Sequence, residues 1–212
     1  MHTKTERLVF RGGMILLGAL VLSSIGGYAR RATADDRPAS PADLLTEVRA
    51  LSQELEAARG ELEVARVQLE RANAIIEYSS HYNIPADLTG TIYDVALSEG
   101  IDPNLGFRLV KVESRFEPRA KSKVGALGLA QVLPSTARLY EPGLTLEQLY
   151  DPQTNLRLGF RYLRDLLERY NGHLETALLA YNRGPAKVEE LLNTGQDARN
   201  GYEGMVMRGY RR

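Results

Sequence analysis

The residue in this sequence best placed to move a proton is Glu113. It closes a largely apolar run, after Leu109, Val110 and Val112. A carboxyl set against apolar neighbours has its charged form disfavoured, so it keeps its proton nearer to neutral pH. Such a group suits general-acid catalysis on a poorly basic leaving oxygen. Ser114 beside it offers a hydroxyl hydrogen bond. Position alone fits equally a solvated glutamate at a helix end, so other residues must decide. The stretch from Gly125 to Gln131 reads GALGLAQ. Gly125 and Gly128 permit tight backbone geometry and the close approach of a ligand. The stretch lacks the G-x-x-x-x-G-K-[ST] spacing of a phosphate-binding loop and follows no strand pattern, which argues against nucleotide loops. Gln131 presents an amide donor and acceptor that suit sugar hydroxyls and N-acetyl groups. A third group, Ala180 to Pro185 (AYNRGP), sets the Tyr181 phenol and the Asn182 amide before a sharp turn at Gly184 and Pro185. An aromatic ring with polar neighbours suits a saccharide groove, and alone it fits equally a packed tyrosine and a helix cap.

Helices must position these groups. Pro85, Leu88, Ile92, Val95 and Ala96 predict a helix ending at Gly100. Asp102-Pro103 is a helix start, a capping oxygen followed by proline in the first turn, and Asp151-Pro152 repeats it. The first of these helices runs to about Ser114, where Glu117-Pro118 stops it. The second runs to about Tyr170, with Leu156, Gly159, Tyr162, Leu163 and Leu166 on its buried face. Shorter helices are expected from Pro134, over 174–181, over 186–192 and over about 202–207. Six or seven short helices are too many for an up-down bundle, and no segment alternates long enough to demand a large sheet.

Four blocks, in order, resemble the catalytic domain of soluble-type lytic transglycosylases, a goose-lysozyme-like group of peptidoglycan-cleaving enzymes. Glu113-Ser114-Arg115-Phe116 is similar to the family's E-S-x-F block, and Gly125 to Pro134 with Thr136-Ala137 is similar to G-A-x-G-L-x-Q-x-x-P-x-T-A. Asn155 to Gly159 with Tyr162-Leu163 resembles N-x-x-x-G-x-x-Y-L, and Ala180 to Pro185 with Val188 resembles A-Y-N-x-G-P-x-x-V. The likeness covers about 82–207. It implies an all-α, lysozyme-like domain over 80–212, with Glu113 as the catalytic acid and then base. It also implies that Ser114, Gln131, Tyr181, Asn182 and Tyr202 bind or orient substrate, and that Gly125, Gly128, Gly184 and Pro185 shape the loops. The implied reaction breaks the β-1,4 bond between N-acetylmuramic acid and N-acetylglucosamine without water and leaves a 1,6-anhydromuramic end. A lysozyme-like hydrolase and a catalytically weak glycan-binding scaffold are the alternatives. Two departures stand out. Ala130 replaces a large apolar residue such as methionine, which predicts a wider or shallower floor beside the glutamate. The terminal E-T-R-x-Y-V block keeps only Tyr202, in Ala198-Arg199-Asn200-Gly201-Tyr202.

The N-terminal third has a different character. Residues 12–29 (GGMILLGALVLSSIGGYA) are uncharged and follow Lys4, Arg7 and Arg11. Residues 1–34 therefore read as an export signal cut near Ala32-Thr33-Ala34 or as an uncleaved membrane anchor. Both place the rest outside the cytoplasm, in the periplasm or cell envelope. A polar linker at 35–43 leads to a heptad stripe over 44–77: Leu44, Val48, Leu51, Leu55, Ala58, Leu62, Ala65, Leu69, Ala72 and Ile76. A period of 3.5 predicts left-handed supercoiling against a partner. In a parallel homodimer Glu54 faces Arg59 and Glu61 faces Arg66 of the other chain. A helix docked on its own domain and a solvated spacer are the other readings.

Composition narrows the rest. Lysine plus arginine and aspartate plus glutamate are both 27, so no basic excess points to nucleic acid. With no cysteine there are no disulfides, thiolate zinc sites or thiol catalysis, and three histidines (His2, His81, His173) are too scattered for a histidine-rich metal site. No cofactor is expected.

Overall fold

A computed structural model of the chain describes residues 40–210. The apolar run, the Ala32–Ala34 site and most of the linker lie outside the described residues. The helices are α1 (Pro41–Tyr82), α2 (Ala86–Ser98), α3 (Pro103–Ser114), α4 (Pro134–Tyr140), α5 (Pro152–Arg169), α6 (Leu174–Arg183), α7 (Pro185–Asn193) and α8 (Tyr202–Met207), with a 3₁₀ turn at Gln148–Tyr150. Among the described residues the only β pairing is isolated bridges at Leu127, with Lys121 and with Val132. The fold is all-α, as the sequence predicts. The chain divides into two units, one ending at Glu63 and the other beginning at Val64.

In the first unit, α1 begins earlier than the heptads require. Ser40 and Asp43 cap each other reciprocally: the Ser40 amide donates to Asp43 Oδ2 at 3.0 Å and the Asp43 amide to Ser40 Oγ at 3.2 Å. Pro41 takes the first helical position, so residues 41–43, expected in the linker, form the first turn instead. Leu44, Val48, Leu51, Leu55 and Leu62 are all exposed. No described helix is long and apolar enough to cross a membrane.

In the second unit both Asp-Pro starts behave as expected. Asp102 Oδ1 accepts from the Leu105 amide at 3.0 Å, and Asp151 Oδ1 from the Thr154 amide at 2.8 Å. The core is built around α5, which packs on α2 and α6. Phe107, Leu109 and Val110 of α3, Leu156, Phe160 and Leu163 of α5, and Val206 of α8 have no exposed surface. Each such side chain contributes about 1.5–3 kcal/mol through burial. The end of α1 joins this body: the Tyr78 ring stacks on Phe107 at 4.2 Å between centroids, and Arg71 pairs with Asp94 of α2 at 2.5 Å. Glu99, the C-cap of α2, is buried and ties α2 to α5 through Arg161 at 2.8 Å and Arg164 at 3.1 Å.

Candidate active site

Glu113 is the penultimate residue of α3. The helix ends abruptly because Arg115 and Phe116 both adopt left-handed backbone angles, φ 54° and 65°, and the turn buries Phe116. Leu109 and Val110 anchor the inner face of α3 in the core, which fixes the direction in which Glu113 projects. The carboxyl lines a cleft of about 430 Å³ together with Gln131, Thr136, Tyr162, Tyr181 and Asn182. Glu113 is the one carboxyl among the described residues lining that cleft. Burial raises its pKa from the ordinary 4.5 to about 7, against a smaller lowering by the hydrogen bond from Tyr202. That bond runs from the Tyr202 hydroxyl to Glu113 Oε1. Tyr202 is itself buried at the first position of α8, and its phenol is pushed well above the usual tyrosine range by burial and then by Glu113. It is therefore a neutral donor that fixes the carboxyl.

The glycine-containing loop shapes the adjoining wall. Gln131, at φ 47°, turns its Nε2 back to the carbonyls of Gly128 at 2.9 Å and Ala120 at 3.2 Å. Its amide oxygen remains for the cleft. The Tyr181 hydroxyl donates to the Ala130 carbonyl at 2.8 Å, so this phenol braces the loop as well as lining the cleft. Asn182 Oδ1 accepts from Asn200 Nδ2 at 2.9 Å, which ties the end of α6 to the segment before α8. Gly125, Gly128 and Gly184 all have positive φ, and Pro185 opens α7 at the cleft edge.

Not every expected residue faces the cleft. Ser114 is buried, and its Oγ donates to the Val110 carbonyl of its own helix at 3.2 Å. Tyr202 reaches the site only through Glu113. Ala130, expected at the floor beside the glutamate, does not line the cleft: its side chain is fully buried and faces α5. A Cβ placed on Gly159 would lie 2.4 Å from the Ala130 Cβ, so the small pair lets loop and helix meet. Glu117, exposed beyond the helix end, accepts from the Arg119 amide at 3.2 Å and is not a cleft residue.

Asn155 has a larger role than its place in a motif reveals. Fully buried on α5, it accepts from the Ala130 amide at 2.8 Å and donates to the Leu127 and Leu149 carbonyls, each at 2.8 Å. It satisfies two backbone groups of the loop that carries Gln131 and one of the 3₁₀ turn before α5. A Cβ at Gly128 would fall 2.3 Å from Asn155 Nδ2, so glycine is required there. Glu203, next to Tyr202, is also buried, and its Oε2 has no partner among the described residues.

The family model for the transglycosylase SLT domain matches residues 91–201. The chain belongs to this family. It is 38% identical over 118 residues to a transglycosylase of Enterobacteria phage PRD1, covering 56% of this chain and 41% of that protein. It is 34% identical over 98 residues to the soluble lytic murein transglycosylase of Escherichia coli strain K12, covering 43% of this chain and 15% of that protein. The chain thus spans less than half the length of these relatives. A solved complex of a 70-kDa soluble lytic transglycosylase with bulgecin A superposes with a TM-score of 0.50 at 25% identity, over 61% of this chain and 23% of that one. The lysozyme-like fold expected from the sequence agrees with this neighbour.

Proposed function

We propose that the domain from Val64 onward is a peptidoglycan lytic transglycosylase, working outside the cytoplasmic membrane. The observation that carries this reading is a half-buried Glu113 with a pKa of about 7, held by Tyr202 and standing as the single carboxyl among the described residues of its cleft. At neutral pH a substantial share of Glu113 is protonated and can donate to the glycosidic oxygen. The resulting carboxylate accepts the proton of the muramoyl C6 hydroxyl as that oxygen bonds to C1 and closes the anhydro ring. One proton is given and one is taken, and no water is consumed. Ordinary glycosidases need a second carboxyl as base or nucleophile. The cleft supplies none, which fits an intramolecular nucleophile carried by the substrate. The Gln131 amide oxygen, Asn182 and Tyr181 are the groups available to orient the sugars. The deciding experiment is mass analysis of fragments released from purified peptidoglycan by the full chain. Anhydro ends support the reading; reducing ends, heavier by one water, show hydrolysis instead.

The exposed heptad stripe supports a parallel homodimer through α1, with Glu54–Arg59 and Glu61–Arg66 pairs between chains. Sedimentation of residues 35–212 as a monomer at about 100 μM, well above the range expected of a stable coil, rejects it. For the apolar run 12–29 the reading retained is a membrane anchor. Recovery of a soluble chain beginning at Asp35 replaces it with a cleaved export signal.

A further inference from the structure

A second concavity lies between α3 and α8. It has a volume of about 790 Å³, and its walls carry Arg108, Lys111, Arg115 and Arg208, with Tyr82 and Phe116 among its apolar residues. We propose that it is a binding pocket for a short acidic peptide, held through its carboxylates. The choice of ligand rests on the function proposed above, because the glycan strands of peptidoglycan bear short peptides with free carboxylates.

Helix geometry separates this pocket from the catalytic cleft. Arg108, Lys111 and Val112 follow the i, i+3, i+4 spacing that puts side chains on one helix face, and Arg115, just past the helix end, lines the same pocket. Glu113 lies about 140° round the helix from Arg108, on the side that lines the catalytic cleft. The two sites also share α8, which contributes Tyr202 to one and Met205 to the other, with Arg208 following the helix end.

The charge distribution is the main argument. Many cations elsewhere in the domain meet carboxylates, among them Arg71 with Asp94, Arg119 with Glu147, Arg157 with Glu141 and Arg169 with Glu189. In this pocket no carboxyl is among the described lining residues, and none of its three arginines or Lys111 makes an ion pair among the described residues. In a chain with equal numbers of acids and bases, this is a local excess of positive charge. Converging like charges raise the local potential and attract anions. The walls are also ordered in advance. Arg108 donates to Asn104 Oδ1 at 2.7 Å and to the carbonyls of Arg208 and Gly209, which fastens the chain after α8 to α3. The Lys111 ammonium stands over the Tyr82 ring, 5.3 Å from its centroid. Tyr82 and Phe116, with Val112 and Met205, give the pocket an apolar surface. A bare phosphate would leave that surface and most of the volume unused, whereas a few residues of peptide with acidic ends would use both.

The test is calorimetric titration of the full chain with the N-acetylated tetrapeptide N-acetyl-L-Ala–γ-D-Glu–L-Lys–D-Ala, which carries a net negative charge, and with the same peptide amidated at its carboxyls. The free acid is expected to bind, and the amidated form about tenfold or more weakly. Lys111→Gln combined with Arg208→Gln should weaken the free acid by about tenfold, while Lys187→Gln, on α7, leaves it unchanged. Lys111 and Arg208 are exposed, so the double variant should keep the wild-type thermal transition. Equal binding of both peptides, wild-type binding by the double variant, no binding, or inorganic phosphate binding as tightly as the free acid would each overturn the pocket. The peptide contains no glycosidic bond, so the result is independent of cleavage. A chain that binds it and cleaves nothing contradicts the proposed function alone; a chain that cleaves and ignores it contradicts the pocket alone.

Discussion

Glu99 and Glu113 end successive helices of the same domain, and both carboxyls are largely withdrawn from water. Glu99 meets two guanidinium groups, Arg161 and Arg164, from α5. Glu113 meets a neutral phenol, and burial carries its pKa to about 7. The first arrangement is a tie between helices. The second leaves the charge of the anion without a cation beside it and keeps a proton available. The difference between a structural and a chemical carboxyl here lies in the partner supplied by the facing helix, since both residues are glutamates at helix ends.

The largest effect expected from breaking this contrast is at Glu113. Glu113→Gln keeps size and polarity and removes the acidic proton. Cleavage should fall by about 10³-fold or more with the thermal transition retained. Turnover within threefold of wild type would remove Glu113 from the chemistry. The same substitution has a linkage consequence. The folded pKa of Glu113 lies above its unfolded value near 4.5, so the folded state binds more protons between pH 4.5 and about 7. Stability therefore declines as pH rises through that window, by on the order of 3 kcal/mol from this one group. Urea unfolding of wild type and Glu113→Gln should show the difference: wild type loses ground to the variant between about pH 4.5 and 7. Parallel curves would mean that the carboxyl is not held protonated.

Glu99→Gln should act in the opposite sense, on stability and hardly on turnover. It leaves Arg161 and Arg164 without the shared negative charge and with one side-chain acceptor oxygen in place of two. Because those arginines are about a third exposed, water recovers part of the loss, and a cost of about 2 kcal/mol is expected by chemical denaturation. A larger fall in turnover than in stability would erase the distinction between the two carboxyls.

What the sequence made readable was local or written in a motif. The Asp-Pro starts at 102 and 151 cap their helices because the signal lies within one turn. Glu113, Gln131, Tyr181 and Asn182 converge on one cleft as their blocks imply. Rotation about a helix axis was harder: Ser114 is adjacent to Glu113 in sequence, yet its hydroxyl turns to Val110. Ala130 was misread as a floor residue because its size was visible and its neighbour Gly159 was not. The bonds of Asn155 to the loop and the meeting of Lys111 with Arg208 depend on long-range packing, which no local pattern encodes. In α1 the period was readable and the partner was not, since a heptad stripe states only that a face is apolar.

The central claim is that the fold keeps Glu113 protonated close to neutral pH while Tyr202 fixes its position. Titration of the Glu113 side-chain carboxyl carbon by nuclear magnetic resonance, in wild type and in Tyr202→Phe, measures this directly. The account predicts a midpoint of about 7 in wild type, and a higher one in Tyr202→Phe, because the lost hydrogen bond favours the anion. A wild-type midpoint near 4.5, unmoved by Tyr202→Phe, would contradict it.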